Sequence, residues 1–292
     1  MKLFSRLRRT SIAGTVAGAL GLMVAAGQGF AQDVVEEARA ALPAEMRESG
    51  ILKVATNFSW PPFAYKDESG KETGIDIELV KLLAAKLGLE PEFEDLKFPS
   101  IIPGVSNGRY DVGVNQFGIT AERQQVAQFL PYFDTGFSLL VPEGKTEIDI
   151  NNLCGRTIVI TQGSALVSVV QDRSDKCVAA GDPEINLVFF KNTADTLLAL
   201  TNGRGDGFVT ARPVGIYIAE TSEGLDVASG TLEDYSSING IALGKERDDL
   251  FEALSLALKS AIEDGSYNEA LGMFDSADGG LTLEQIEASS GD

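Results

Sequence analysis

Ile51-Leu52-Lys53-Val54-Ala55-Thr56, followed by Asp76-Ile77-Glu78-Leu79-Val80-Lys81-Leu82-Leu83-Ala84-Ala85-Lys86-Leu87-Gly88, is the stretch on which the fold turns. The first segment alternates as a half-buried strand does. In the second, Ile77, Leu79, Val80, Leu83 and Leu87 fall on one helical face, with Asp76 placed as the cap and Gly88 as the stop. A strand feeding a helix is the opening of an α/β unit. Upstream, Asp33 to Gly50 reads as a short acidic leader helix. Downstream, Glu92 to Leu96 reads as a second strand, Ile101 to Asn107 as a short helix ended by Gly108, and Asp111 to Asn115 as a third strand.

The same rhythm restarts after Asp149. Strand Thr157 to Thr161, a helix from Ser164, strand Asn186 to Phe190, helix Ala194 to Asn202 and strand Gly207 to Thr210 make a second series. Strand Gly240 to Leu243 and helices Asp248 to Asp264 and Tyr267 to Phe274 close the chain. Two α/β units are expected. An internal echo points the same way: Asn107-Gly108-Arg109-Tyr110-Asp111-Val112 returns as Asn202-Gly203-Arg204-Gly205-Asp206-Gly207, each a helix stop leading into a strand.

Composition narrows the function. The 292 residues are 44% hydrophobic, enough to bury a core, and carry a formal charge of −19, which excludes an extended basic surface for nucleic acid. There is no histidine, so His-ligated metals and Ser-His-Asp or Cys-His nucleophiles are excluded, and no cofactor or metal is expected.

Lys2, Arg6, Arg8 and Arg9 precede an apolar run from Ser11 to Ala26, and Gly29-Phe30-Ala31 offers small residues for signal-peptidase cleavage after Ala31. The apolar run is shorter than the roughly 20 residues needed to cross a bilayer. Residues 1–31 are therefore expected to be a signal peptide, with Arg8-Arg9 leaving the twin-arginine route open, and the remainder to be exported to the periplasm. Cys154 and Cys177 are the only cysteines, and both lie in polar, turn-like surroundings. In an oxidising compartment such a pair reads as one disulfide, worth roughly 3 kcal/mol, against the alternative of two buried thiols.

A family resemblance covers about residues 50 to 275. The residues that carry it are Leu52-Lys53-Val54-Ala55-Thr56-Asn57 with Trp60-Pro61-Pro62-Phe63; Gly70-Lys71 with Thr73-Gly74-Ile75-Asp76-Ile77; Ile102-Pro103 with Gly108-Arg109-Tyr110-Asp111; Ile119-Thr120 with Glu122-Arg123; Phe129-Leu130-Pro131-Tyr132; and Gln162-Gly163-Ser164. In this order and spacing the chain resembles the extracytoplasmic solute-binding proteins, family 3, of polar-amino-acid ABC importers. That resemblance implies a two-lobed periplasmic-binding-protein fold (type II), α/β in class, with two hinge crossings. Lobe one would be residues 33–134 plus 240–292 and lobe two 135–239. It implies a monomer that closes on a small polar solute, an amino acid or related carboxylate, and presents it to the membrane permease subunits.

The resemblance also places the site. Arg123 stands where relatives grip the ligand carboxylate, and a guanidinium suits this because it bonds both oxygens and keeps its proton. Gly163 and Ser164 open a helix whose free N–H groups would meet the same carboxylate. Trp60, Phe98 and Phe117 fall at the pocket walls, Asn57, Asn115 and Gln116 supply neutral donors and acceptors, and Gly118 offers backbone only. One position departs from the pattern: where amino-acid binders carry an Asp for the ligand's α-ammonium, this chain has Ala211, with Asp206 or Glu220 as other candidates for that role and Arg212 as a further cation. An enzyme on the same scaffold, of the cyclohexadienyl dehydratase kind, is the alternative reading and would need a buried acid of raised pKa deep in the cleft, for which the matched pocket segments offer no candidate. A sensory or accessory periplasmic protein is the other alternative.

Overall fold

The computed structural model describes residues 33–162, 166–191, 193–233, 235 and 237–290. The expected signal peptide with its cut after Ala31, and Gly163 and Ser164, lie outside the described residues. The chain begins with α1 (Glu36–Ala41), α2 (Ala44–Ser49), β1 (Ile51–Thr56), β2 (Ser59–Trp60), β3 (Ala64–Lys66), β4 (Glu72–Thr73), α3 (Ile75–Leu87) and β5 (Glu90–Asp95). It continues through α4 (Ile101–Ser106), β6 (Val112–Gly113), α5 (Ala121–Gln124) and β7 (Gln128–Asp134). Then come β8 (Phe137–Pro142), β9 (Thr157–Thr161), α6 (Leu166–Ala180), β10 (Asn186–Phe190), α7 (Thr193–Thr201), β11 (Phe208–Ala211), α8 (Arg212–Thr221) and β12 (Leu225–Val227). The last elements are β13 (Ile238–Leu243), α9 (Asp248–Glu263), α10 (Ser266–Gly272) and α11 (Leu283–Ser290).

Two sheets are built to one plan. The first runs β5-β1-β6-β13-β7, with β1 parallel to both β5 and β6, and β13 antiparallel to both β6 and β7. In the second, β10 lies parallel to β9, a parallel bridge from Ile158 to Gly207 joins β9 to the lead of β11, and β8 runs antiparallel to β11 and β12. Both therefore read parallel, parallel, antiparallel, antiparallel across their width. The chain leaves the first sheet after Asp134, enters the second at Phe137 and comes back between Val227 and Ile238. That makes a two-lobed α/β fold with two crossings. A small antiparallel sheet, β2-β3-β4, sits on the first lobe and carries Trp60.

The sequence echo is a repeated hydrogen-bonding device. Gly108 and Gly203 take left-handed backbone, with φ of +75° and +69°. In the first copy the N–H groups of Asn107, Gly108 and Arg109 donate to the carbonyls of Pro103, Val105 and Gly104; in the second, those of Asn202, Gly203 and Arg204 donate to Leu198, Leu200 and Ala199, the same offsets. Each helix end is thereby satisfied before the strand begins. The aspartate that follows then clamps the neighbouring parallel strand: Asp111 Oδ2 accepts from Lys53 N–H at 2.9 Å, and Asp206 Oδ2 from Thr157 N–H at 2.7 Å.

Where the structure departs from the sequence reading, tertiary packing explains it. The leader is two helices, α1 and α2, separated at Leu42-Pro43, and Ala38, Leu42 and Met46 are core residues. Proline cannot continue the first helix, and its fixed φ suits the start of the second. Helix α3 is not apolar on one face alone: Ile75, Ile77, Leu79, Val80, Leu82, Leu83, Ala84 and Leu87 are all buried, because α1, α9 and α10 cover the side turned from the sheet. Gly88 ends it as expected, in left-handed backbone with its N–H on the carbonyls of Ala84 and Ala85. Asp76 does not cap it; Gly74 holds that position, and Asp76 turns inward instead. Of Asp111 to Asn115 only Val112–Gly113 is strand, and the rest is drawn into the loop described below.

Cys154 and Cys177 form a disulfide with their Cα atoms 5.6 Å apart, tying the turn before β9 to the buried face of α6. Cys177 packs with Leu153, Ile158, Ile160, Val170 and Ile185 in the core of the second lobe. Non-reducing mass spectrometry of the protein isolated from its native host is expected to show the two cysteine peptides linked. Reduction should destabilise the protein by about 3 kcal/mol, the cost of releasing a loop of this length in the unfolded chain. Two alkylatable thiols in freshly isolated protein would contradict the bond.

Candidate functional site

In open α/β sheets, ligands bind beyond the carboxyl ends of the strands. Several of the expected site residues lie at such ends, while Trp60 is in β2 and Arg123 in α5. Asn57 follows β1, Phe98 follows β5, and Asn115 to Gly118 follow β6, while Ala211 ends β11 on the second lobe.

Arg123 owes its place to a short helix. Thr120 caps α5 by accepting the Arg123 backbone N–H at 3.3 Å, and the side chain folds back so that one guanidinium N–H donates to the Gly118 carbonyl at 2.8 Å. The guanidinium carbon lies 5.5 Å from the Phe117 ring centre and 6.0 Å from that of Phe98, which themselves pack at 5.3 Å. Burial depresses its pKa somewhat, against a smaller opposing effect from Glu122. No ion pair involves it among the described residues. Phe98 is 43% exposed, whereas Phe117 is fully buried and backs the cation rather than presenting a surface.

The neutral polar side chains are mostly committed to the protein. The Asn57 amide donates to the Leu96 carbonyl at 2.7 Å, and that of Asn115 donates to the Asn57 carbonyl at 3.1 Å. Gln116 is committed at every polar atom save its carbonyl. Its N–H donates to Asp76 Oδ2 at 2.8 Å, its Oε1 accepts from the Trp60 indole at 2.6 Å, and its Nε2 donates to Thr135 Oγ1 at 3.3 Å. Its backbone is left-handed, φ +49°, a costly conformation for a non-glycine residue that the Asp76 hydrogen bond holds in place. Trp60 remains 44% exposed, its ring fixed at the nitrogen and open elsewhere.

Asp76 is the residue beside these loops whose buried placement the sequence reading missed. Its carboxyl has no solvent exposure and accepts from the Tyr132 hydroxyl as well as from Gln116. The available signal was a carboxylate flanked directly by Ile75 and Ile77. The cost of burying the charge outweighs both hydrogen bonds and pushes its pKa up to about 7.

On the second lobe, Ala211 pairs with Phe137 and precedes α8, and the neighbouring Arg212 reaches back to Asp278, Nε to Oδ2 2.6 Å. Arg212 is therefore neutralised by a carboxylate of the segment after α10. The two line a cavity of about 420 Å³ beside the first crossing. Asp206 is occupied with Thr157 at the opposite end of its strand from Ala211, and Glu220 sits near the end of α8 with Tyr65 and Tyr217.

The raised pKa of Asp76 has a measurable consequence. The folded chain holds this proton up to about 7 and the unfolded chain releases it near 3.8, so the contribution of Asp76 to stability falls as pH rises through that window. Asp76→Asn is a neutral isostere that can accept from Gln116 and donate to the Tyr132 oxygen. It is expected to match the wild-type melting temperature at about pH 4 and to gain on it steadily toward about pH 8. A difference independent of pH would argue against a proton held at Asp76.

With the geometry in hand, similarity to known proteins is specific. The family model of bacterial extracellular solute-binding proteins, family 3, matches residues 52–273. The arginine-binding protein ArgT of Corynebacterium glutamicum is 30% identical over 241 residues, 82% of this chain and 79% of that protein. The ABC transporter arginine-binding protein 1 of Escherichia coli is 27% identical over 75% of this chain and 88% of its own length. The solved structure of the ancestral amino acid-binding protein AncCDT-1, described as a precursor of cyclohexadienyl dehydratase, aligns with a TM-score of 0.60 and 27% identity over 79% of this chain and 97% of that one. The chain belongs to the bacterial extracellular solute-binding proteins, family 3.

Proposed function

We propose that the chain, exported to the periplasm with cleavage after Ala31, is the monomeric solute-binding component of an ABC importer, and that residues 33–134 with 240–292 close against residues 135–239 over a small carboxylate-bearing solute. The observation that carries this is Arg123: a partly desolvated guanidinium at the carboxyl ends of the strands, with one donor on Gly118 and no carboxylate partner among the described residues. A desolvated cation of this kind gains from an anionic partner, and its planar fork matches a carboxylate. In this reading the backbone N–H groups of Gly163 and Ser164 would add donors to the same carboxylate, with Trp60 and Phe98 as exposed aromatic faces against the solute.

Binding rather than chemistry fits the acid that is present. Asp76 has the raised pKa that a dehydratase would need, but both its oxygens are taken by Gln116 and Tyr132 and it has no exposed surface. The relatives are named for amino acids, and their carboxylate is the part this site is equipped to hold. Their ammonium is not provided for at Ala211, nor by Asp206, which is engaged with Thr157. The preferred solute is accordingly an anion, an N-substituted compound or a polar neutral molecule rather than an ordinary L-α-amino acid. Losing a buried ionic hydrogen bond costs a few kcal/mol, and a ligand without the ammonium has none to lose.

A thermal-shift screen of amino acids, carboxylic acids, opine-like compounds and sugars, followed by calorimetry, tests this reading. For the best carboxylate in the screen, Arg123→Ala should weaken binding by at least about 2 kcal/mol, roughly 30-fold, because the ligand charge is left buried and unpaired. Unchanged affinity would remove Arg123 from the site. Ala211→Asp should raise affinity for unmodified L-α-amino acids such as L-arginine. Tight binding of such an amino acid by the wild type, with its ammonium on another acidic side chain, would show that specificity does not rest on Ala211.

A further inference from the structure

Gln116 is built into a chain of hydrogen bonds that runs from an exposed ring to both crossings between the lobes. At one end is the Trp60 indole, held at 2.6 Å by Gln116 Oε1. At the other, Gln116 Nε2 donates to the Thr135 hydroxyl, which in turn donates to the Asn239 side-chain carbonyl. Thr135 lies in the outgoing crossing, between β7 and β8, and its N–H donates to the carbonyl of Ser237 in the returning one at 3.1 Å. Thr135 and Asn239 are 3% and 1% exposed, so water cannot readily replace either partner of the bond between them. Asp76 fixes the backbone of Gln116 from below, which leaves its side chain as a short lever with one end on the ring and the other on the crossing.

We propose that Gln116 is a positioning residue that ties the orientation of the Trp60 ring to the geometry of the two lobe crossings, so that movement of the lobes is felt at the ring and seating of the ring is felt at the crossings. That Trp60 faces the solute rests on the function proposed above; the tether itself does not.

Trp60 is the only tryptophan of the chain, so its fluorescence reports the ring without a ligand. In the solute-free protein, Gln116→Met, which keeps the length of the side chain and removes its hydrogen bonds, should lower the anisotropy of Trp60 and increase its quenching by acrylamide. Thr135→Val, at a residue one step further along the chain of bonds, should move both in the same direction, and Thr135→Ser, which keeps the hydroxyl, should restore wild-type values. An unchanged ring signal in folded Gln116→Met overturns the proposal, as does an unchanged signal in Thr135→Val. Thr135→Ser behaving like Thr135→Val overturns it too, since packing rather than the hydroxyl would then be responsible. Should Gln116→Met fail to fold by circular dichroism, the Thr135 pair decides alone. Failure of every solute to bind would count against the importer function, whereas the tether stands or falls on these solute-free spectra.

Discussion

A carboxyl group sealed from water must have its hydrogen bonds supplied by the protein, and Asp76 draws them from elements that are distant in sequence. Its oxygens meet the Gln116 N–H beyond β6 and the Tyr132 hydroxyl on β7. The Tyr132 carbonyl in turn accepts from the hydroxyl of Tyr267 on α10, which itself accepts from the Leu281 N–H at 2.9 Å. One buried acid thus locks the start of α3, the site loop and the strand that leads to the crossing, and the tyrosines extend the lock to the C-terminal segment. The pKa of Tyr267 is pushed up to about 12, mainly by burial, and that of Tyr132 rises well above its ordinary value, so neither hydroxyl gives up its proton at neutral pH. Removing one member leaves its partner buried and unpaired, which costs more than the bond itself contributes.

The lobes repeat a simpler device. Asp111 and Asp206 each close the gap between a helix stop and the parallel strand beside it, on the edge opposite to the site. With the amino ends fixed in this way, variation in the loops at the carboxyl ends does not disturb the sheets, and a family can change its solute without changing its fold. Ala211 lies at such a strand end. It pairs with Phe137 beside the outgoing crossing and leads directly into α8.

Strand and helix positions were legible because they follow from local pattern. Ile51–Thr56, Thr157–Thr161 and Asn186–Phe190 coincide with their sequence readings, and Gly88, Gly108 and Gly203 stop helices where expected. What escaped was set by distant partners. Asp76 looks like a cap in sequence because an acid at a helix start ordinarily is one; only the arrival of Tyr132 and Gln116 makes the inward orientation tolerable. Arg212 was readable as a cation but not as one neutralised by Asp278, whose position depends on how the C-terminal segment packs. Likewise Gln116 was legible as a polar side chain near the site, while its commitment to Trp60 and Thr135 depends on a left-handed turn that nothing local to Gln116 demands.

The net charge and the site pull in different directions, and their ranges decide between them. A formal charge of −19 attracts cationic solutes and repels anionic ones, which affects how often they arrive. At physiological ionic strength that influence decays over about 8 Å, so it acts on encounter rates outside the cleft. Inside, Arg123 lies against two aromatic rings, where screening is weak and a direct partner outweighs the distant field. Under the proposed function, a carboxylate that reaches Arg123 is held by contact, and the acidic surface slows only the arrival of solutes whose whole charge is negative. The chemistry that satisfies both is a solute with one carboxylate for Arg123 and a compensating positive charge, such as a substituted nitrogen, that stays near water and needs no partner at Ala211.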